Sequence, residues 1–145
     1  MINLKRALFT VFLFVAPGCD PVLSDDPIPV VPFDDIIIQL SLPQYASLST
    51  KGYYELNAGV RGIILYRKDA STYLAYERNC SYRPNEACAT VNVDPSGLFM
   101  TDPCCNSSFD FSDGHPTGGP AWSSLRRYKV FLTAGTLTVT DDIVL

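Results

Sequence analysis

Four cysteines in two polar loops are the side chains of this sequence best equipped for chemistry. Cys80 and Cys88 lie in one Pro-bearing loop. Cys104 and Cys105 are adjacent in a second, which runs from Asp102 to Asp110 and on to Gly119-Pro120-Ala121. Sulfur at that density either ligates metal or pairs as disulfides. Zinc is poorly supported by spacing, because no two cysteines are separated by the two-residue gap of paired zinc ligands. Thiol–disulfide catalysis is poorly supported too: there is no Cys-x-x-Cys, and no helix start near Cys104-Cys105 to lower a thiol pKa. The single histidine, His115, precedes Pro116 in a Gly-rich loop and reads as an exposed turn residue, so no Ser-His-Asp arrangement is in view. Asp110 and Asp113, like Asp141-Asp142, read as turn carboxylates rather than a calcium or acid–base pair. Trp122 and the tyrosines read as packing residues of a sheet.

The rest of the chain sets limits on what those loops can serve. Its 145 residues suit one domain plus a short targeting segment. With 47% hydrophobic and 18% charged residues it is composed like a globular domain. The net charge of −4, with no basic stripe, argues against a nucleic-acid partner, since phosphate contacts need clustered Lys and Arg.

Residues 1–18 read as a signal peptide. Lys5 and Arg6 form a positive start, and the apolar run from Ala7 to Ala16 is about half the length needed to span a bilayer. The ending Ala16-Pro17-Gly18-Cys19 resembles the lipobox of bacterial lipoproteins, in which the cysteine becomes the lipidated N-terminus. Ala16 stands where Leu is usual, and Pro17 is uncommon there. Lipidation of Cys19 leaves an even set of four cysteines. Loss of Lys5 and Arg6 leaves nine basic residues against 15 acidic ones, a net charge of −6. Residues 19–33 follow as a tether whose four prolines oppose a helix. Ser24-Asp25-Asp26 resembles the acidic export signal of surface lipoproteins in Bacteroidota. The expected location is the bacterial cell envelope, as an outer-membrane lipoprotein facing the periplasm or the surface, with lipid holding the domain to the membrane.

Residues 34–145 read as an all-β domain. Candidate strands are Ile36 to Leu42, Tyr53 to Leu56, Arg61 to Arg67, Thr72 to Glu77, Val91 to Val93, Leu98 to Thr101, Tyr128 to Thr133 and Thr136 to Thr140. The centre of the third looks buried on both faces. Turns are expected at Lys68 to Ser71, Asp94 to Gly97 and Ala134-Gly135. No helical period is sustained after the signal, so a small antiparallel sandwich or barrel is predicted.

From about Asp34 to Thr140 the chain resembles the Rieske domain family. Pro103, Cys104, Ser107, Phe109 and Asp110 match its second loop, Cys-Pro-Cys-His-Gly-Ser-x-Phe-Asp. Gly114, Gly119-Pro120-Ala121, Leu125 and Tyr128 follow as in the family. Cys80 matches the ligand cysteine of the first loop, and Cys88 its disulfide cysteine. The resemblance implies a small β domain with two cysteine loops that hold one [2Fe–2S] cluster for electron transfer.

The departures fall on the cluster ligands. Of the four positions, Cys80 is kept. Tyr82 replaces the first histidine, Asp102 the second cysteine and Cys105 the second histidine, with Asn106 at the following glycine. One iron of a Rieske centre takes two imidazoles, and a chain with one histidine cannot supply them. No metal and no cofactor are therefore expected, with [2Fe–2S] as the alternative. Four cysteines allow three pairings. The resemblance implies Cys88–Cys104, which leaves Cys80 and Cys105 facing each other across the former cluster, so a second disulfide is expected there. The function expected is a membrane-anchored, non-catalytic binding or structural module for an envelope protein or ligand. The alternative is an electron carrier rather than an enzyme acting on a substrate.

Overall fold

The computed structural model describes residues 26–144. The expected signal peptide, the expected lipidation site Cys19 and the first part of the expected tether lie outside the described residues. Ten strands follow in chain order: β1 (Ile36–Gln39), β2 (Tyr53–Leu56), β3 (Ile63–Arg67), β4 (Tyr73–Glu77), β5 (Asn92–Val93), β6 (Met100–Asp102), β7 (Ser107–Phe109), β8 (Pro116–Gly118), β9 (Arg127–Thr133) and β10 (Thr136–Ile143). They form two antiparallel sheets, ordered β1-β10-β9-β4-β3-β2 and β5-β6-β7-β8. The larger sheet curls as a half-barrel. The all-β expectation therefore holds. One helical turn, α1 (Ser47–Thr50), follows a 3-10 turn at Pro43–Tyr45 and drops Leu48 into the core.

Local chemistry explains the hairpins. Ala134 and Gly135 both have positive φ, at 47° and 79°, the twist that a two-residue turn needs to pair Thr133 with Thr136. At the β3–β4 turn the Asp69 carboxylate accepts the amides of Ser71 and Thr72, both at 2.8 Å. β1 stops at Gln39, short of the predicted Leu42. Leu42 N–H turns back onto the Gln39 carbonyl at 3.1 Å, and Pro43, with no amide to give a ladder, opens the 3-10 turn.

The core has two halves divided by the larger sheet. Ile63 and Leu65 of β3 point to one, with Ile38, Leu56, Ala75, Leu137 and Val139. Ile64 and Tyr76 point to the other, with Val91, Met100, Phe109 and Leu125, and this half floors the cysteine loops. Ile63, Ile64 and Leu65 are all fully buried, as expected for the centre of this strand. Burial pushes the Tyr76 phenol pKa up, and its hydroxyl donates to the Phe111 carbonyl at 3.0 Å, tying the large sheet to the second loop.

Residues 26–33 were expected to be an extended tether and here lie against the domain. Arg126 donates to the carbonyls of Ile28 and Pro29, Asn85 Nδ2 to Asp26 Oδ2 at 2.9 Å, and Phe33 packs edge-on to Tyr128 at 5.1 Å. Among the described residues no helix is long and apolar enough to cross a membrane.

Candidate functional site

The first cysteine loop, residues 78–91, leaves β4 and returns to β5. It gives Cys80, Ala89 and Val91 to the second core half and is held by polar groups at its base. The buried Glu77 carboxylate accepts from the amides of Val60 (2.8 Å), Arg61 (3.0 Å) and Asn79 (3.0 Å) and from the Tyr128 hydroxyl (2.8 Å). Burial first, and then this carboxylate, push the Tyr128 phenol pKa up, so the phenol stays a donor. The Arg61 guanidinium reaches Asn79 Oδ1 (2.6 Å) and the carbonyls of Glu86 (2.6 Å) and Ala87 (2.7 Å), which fixes the far side of the loop. Arg78 binds the Val91 carbonyl at 3.0 Å and pairs with Glu55 at 2.7 Å.

The second loop is the tight connection from β6 to β7. The Asp102 carbonyl accepts Asn106 N–H, and its Oδ1 accepts Cys104 N–H, both at 2.8 Å. Asn106 sits at φ 60°, a left-handed conformation that Asn tolerates better than other side chains apart from glycine's absent one. That accounts for Asn at a position where the family loop has Gly. Gly119 closes over the loop. A Cβ there would lie 2.5 Å from both the Asn106 oxygen and Ser107 Cα, so only glycine allows this approach. Cys88 and Cys104 are joined as a disulfide with Cα atoms 5.5 Å apart, the pairing implied by the Rieske resemblance.

Between the loops, Cys80, Asp102 and Cys105 converge, with their ligand atoms all within 4.8 Å of one another. Cys80 and Asp102 are fully buried and Cys105 is half-buried. The Cys80 and Cys105 sulfurs are 3.9 Å apart and both are free thiols. The second disulfide expected from the sequence is thus not formed in this structure, although its two sulfurs are neighbours. The Cys105 thiol lies instead 3.0 Å from Ser107 Oγ and 3.3 Å from Asp102 Oδ2. Ser107 Oγ is oriented in turn by the Ala121 amide at 3.1 Å, and Cys80 Sγ accepts Tyr82 N–H at 3.4 Å. Burial, and then the Asp102 carboxylate, push the Cys80 thiol pKa far above its ordinary value. Such a thiol stays protonated at neutral pH, the opposite of what a nucleophilic cysteine needs.

Tyr82 packs at the margin of the second core half, with Arg83 stacked 5.3 Å over its ring. His115 is exposed, with Nδ1 3.2 Å from Ser124 Oγ, and has no place in the cysteine group. Trp122, read from the sequence as packing, is instead 58% exposed. With Ser81, Ser123, Ile143 and the tether residue Ile28, it lines a surface cleft of about 330 Å³.

No family model and no curated protein matches the chain. Among solved structures it is similar to the cyanobacterial plasma membrane Rieske protein PetC3 from Synechocystis PCC 6803, with 20% identity over 67% of this chain and 94% of that one and a TM-score of 0.54. The fold is Rieske-like. A second similar structure is the complex of oxygenase and ferredoxin in carbazole 1,9a-dioxygenase, with 18% identity over 66% of this chain and 85% of that one and a TM-score of 0.48.

A Rieske cluster takes two thiolates and two imidazoles. Cys80 occupies its place, but the other three positions bring a phenol, a carboxylate and a thiol rather than one thiol and two imidazoles. The sequence pointed to Cys80, Asp102 and Cys105, which the structure brings together, and to the Cys88–Cys104 pair, while its second pair, Cys80 and Cys105, stands as neighbouring free thiols. Sequence reasoning missed Glu77, Arg61 and Arg78, which hold the first loop. A Glu closing a strand ordinarily reads as solvent-facing, and nothing local marks this one as buried.

Proposed function

We propose that this protein is a lipid-anchored cell-envelope domain that keeps the Rieske frame without its iron–sulfur cluster and works as a non-catalytic binding or structural module. The observation that carries this reading is the donor set at the loop junction: Cys80, Tyr82, Asp102 and Cys105, with the two thiols 3.9 Å apart. A sulfide-bridged two-iron core takes four thiolates, or two thiolates and two imidazoles. Supplying four thiolates here would require opening the Cys88–Cys104 bond and rebuilding both loops. The frame itself is held by groups that need no cluster: Glu77, Arg61, Arg78 and the disulfide. The cleft beside Trp122 supplies a surface for a partner. The lipobox-like ending at Cys19 supports anchoring, with the docked residues 26–33 holding the domain close to its attachment point.

One fresh anaerobic preparation tests the cluster-free reading by visible spectrum and iron content. A colourless protein without stoichiometric iron is expected. A brown protein with about two irons per chain would establish an iron–sulfur cluster and favour the electron-carrier reading instead. Anchoring is tested separately: metabolic labelling with a fatty acid should mark the native protein and leave Cys19→Ser unlabelled.

A further inference from the structure

We propose that Cys80, Asp102 and Cys105 form a mononuclear site for a tetrahedral, thiophilic divalent cation of the Zn²⁺ class. The geometry is the first argument. With metal–sulfur bonds near 2.3 Å, two sulfurs on one tetrahedral ion lie about 3.8 Å apart, and a sulfur and a carboxylate oxygen about 3.6 Å apart. The sulfurs of Cys80 and Cys105 are 3.9 Å apart, and Cys105 Sγ lies 3.3 Å from Asp102 Oδ2. Two of the three donor–donor distances are thus close to the edge lengths of such a tetrahedron, and the third lies within 4.8 Å. A disulfide would need the same sulfurs to close to about 2.05 Å.

The second argument is charge. Asp102 is fully buried, and among the described residues no Lys or Arg pairs with it. A buried carboxylate is costly unless a cation or several donors compensate it. Its Oδ1 takes the Cys104 amide, while on its other side it meets the thiols of Cys105, at 3.3 Å from Oδ2, and Cys80. A divalent cation at the centre of the triangle would satisfy it.

The third argument is the surrounding layer. Asp102 is held by Cys104 N–H, Cys80 by Tyr82 N–H, and Cys105 by Ser107 Oγ, itself fixed by Ala121 N–H. Ligands oriented by outer hydrogen bonds are typical of built metal sites. Binding exchanges the two thiol protons for the cation and releases them to solvent. The carboxylate is the third donor, and nothing is oxidised. The fourth position, on the side of half-buried Cys105, is left for water or an exogenous ligand. The neighbouring group of Glu86, Cys88 and Cys104 offers no such site, because its sulfurs are bonded to each other.

This inference concerns the pocket that the cluster-free reading leaves vacant of iron, and the two fail differently. A brown, iron-containing protein defeats that reading. A colourless protein that takes no cation defeats only this one. The test is titration of the native protein with Co²⁺ under anaerobic conditions, with the Cys88–Cys104 disulfide kept intact and Cys80 and Cys105 verified as free thiols by mass spectrometry. A near-ultraviolet thiolate-to-cobalt band saturating at one ion per chain and bleached by Zn²⁺ is expected. Cys80→Ser with Cys105→Ser, which keeps Cys88 and Cys104, should lose the band. Asp102→Asn should weaken binding at least tenfold, with the far-ultraviolet circular dichroism of the metal-free protein unchanged. Absence of a band in the folded native protein overturns the proposal. So does a band that persists in the double variant, or a native protein in which Cys80 and Cys105 are found bonded to each other.

Discussion

The large sheet and the cysteine-loop lobe are stabilised by different kinds of contact. Around β3 the strands are fixed by Ile63, Ile64 and Leu65, buried on both faces of the sheet. The lobe of β5 to β8 has strands of two or three residues, too short to hold register by pairing alone. Its loops are fixed instead by a buried carboxylate, two arginines, one disulfide and a glycine contact. Apolar burial is non-directional and tolerates substitution of similar volume. A hydrogen-bonded anion or a backbone contact at 2.5 Å does not. The lobe that carries the candidate site is therefore the more precisely placed of the two and the easier to break by a single change.

Glu77 sits where the two regions meet, and its loss should have the largest effect. Glu77→Ala strips the acceptor from three amides and the Tyr128 hydroxyl at once. The expected cost is about 3–5 kcal/mol, because each buried donor left unmet costs on the order of 1–3 kcal/mol. Urea unfolding measures it, and Glu77→Gln, which keeps part of the acceptor, should lose less. An equal loss from both variants would mean that charge rather than hydrogen bonding holds this junction.

Removal of the disulfide should weaken the lobe more than the large sheet. Cys88 and Cys104 are 16 residues apart, and a closure of that length stabilises by roughly 3 kcal/mol on the chain-entropy account. In the Cys88→Ser, Cys104→Ser double variant, amide exchange should speed up across residues 79–110. The amides of β3, β9 and β10 should lose protection only by the global change in stability. Uniform acceleration over both regions would erase the distinction between them.

The same contrast explains what could be read from the sequence. The hairpins β3–β4 and β9–β10 were legible because apolar runs flank recognisable turns, Lys68 to Ser71 and Ala134-Gly135. β7 and β8 were not: Ser-Ser-Phe and Pro-Thr-Gly are too short to show a period and are strands only because each finds a partner. α1 was missed for the same reason, as a single turn with one buried residue, Leu48. The cysteine positions were legible through resemblance to the Rieske loops. Their geometry was not. That Cys105 turns toward Asp102 and Ser107 depends on Gly119 and Ala121, which arrive from another part of the chain.

Gly119→Ala probes that arrival with a single methyl group. At φ +81° and 2.5 Å from the Asn106–Ser107 backbone, an added Cβ must displace the loop. A loss of about 2 kcal/mol is expected, lowering Tm by roughly 6–10 °C. The Cys80 and Cys105 thiols should then react faster with a thiol reagent. An alanine variant with unchanged melting and unchanged thiol reactivity would show that the loop has room to move, contrary to a tightly placed lobe.

The smallest effect concerns a device that the two regions share. Asp69-x-Ser71 in the large sheet and Asp94-x-Ser96 and Asp110-x-Ser112 in the lobe each place a carboxylate oxygen on the serine amide and hydroxyl two residues on. In all three the carboxyl pKa is lowered, and for Asp69 it falls from 3.8 to about 2, through the Ser71 amide first and then the Thr72 and Ser71 contacts. A folded-state pKa below the unfolded one means that the turn favours the charged form. Its contribution is complete above pH 3.8 and fades as pH falls toward 2. Asp69 is fully exposed, so solvent screens the effect and global stability should scarcely change. The measurable quantity is the Asp69 carboxyl titration by NMR, with a midpoint near 2 that moves up toward 3.8 in Ser71→Ala. If the midpoint stays put, the turn amides alone set it. The hydroxyl would then be a passenger in both regions, and the serine two residues after each aspartate would owe its place to turn propensity rather than to charge.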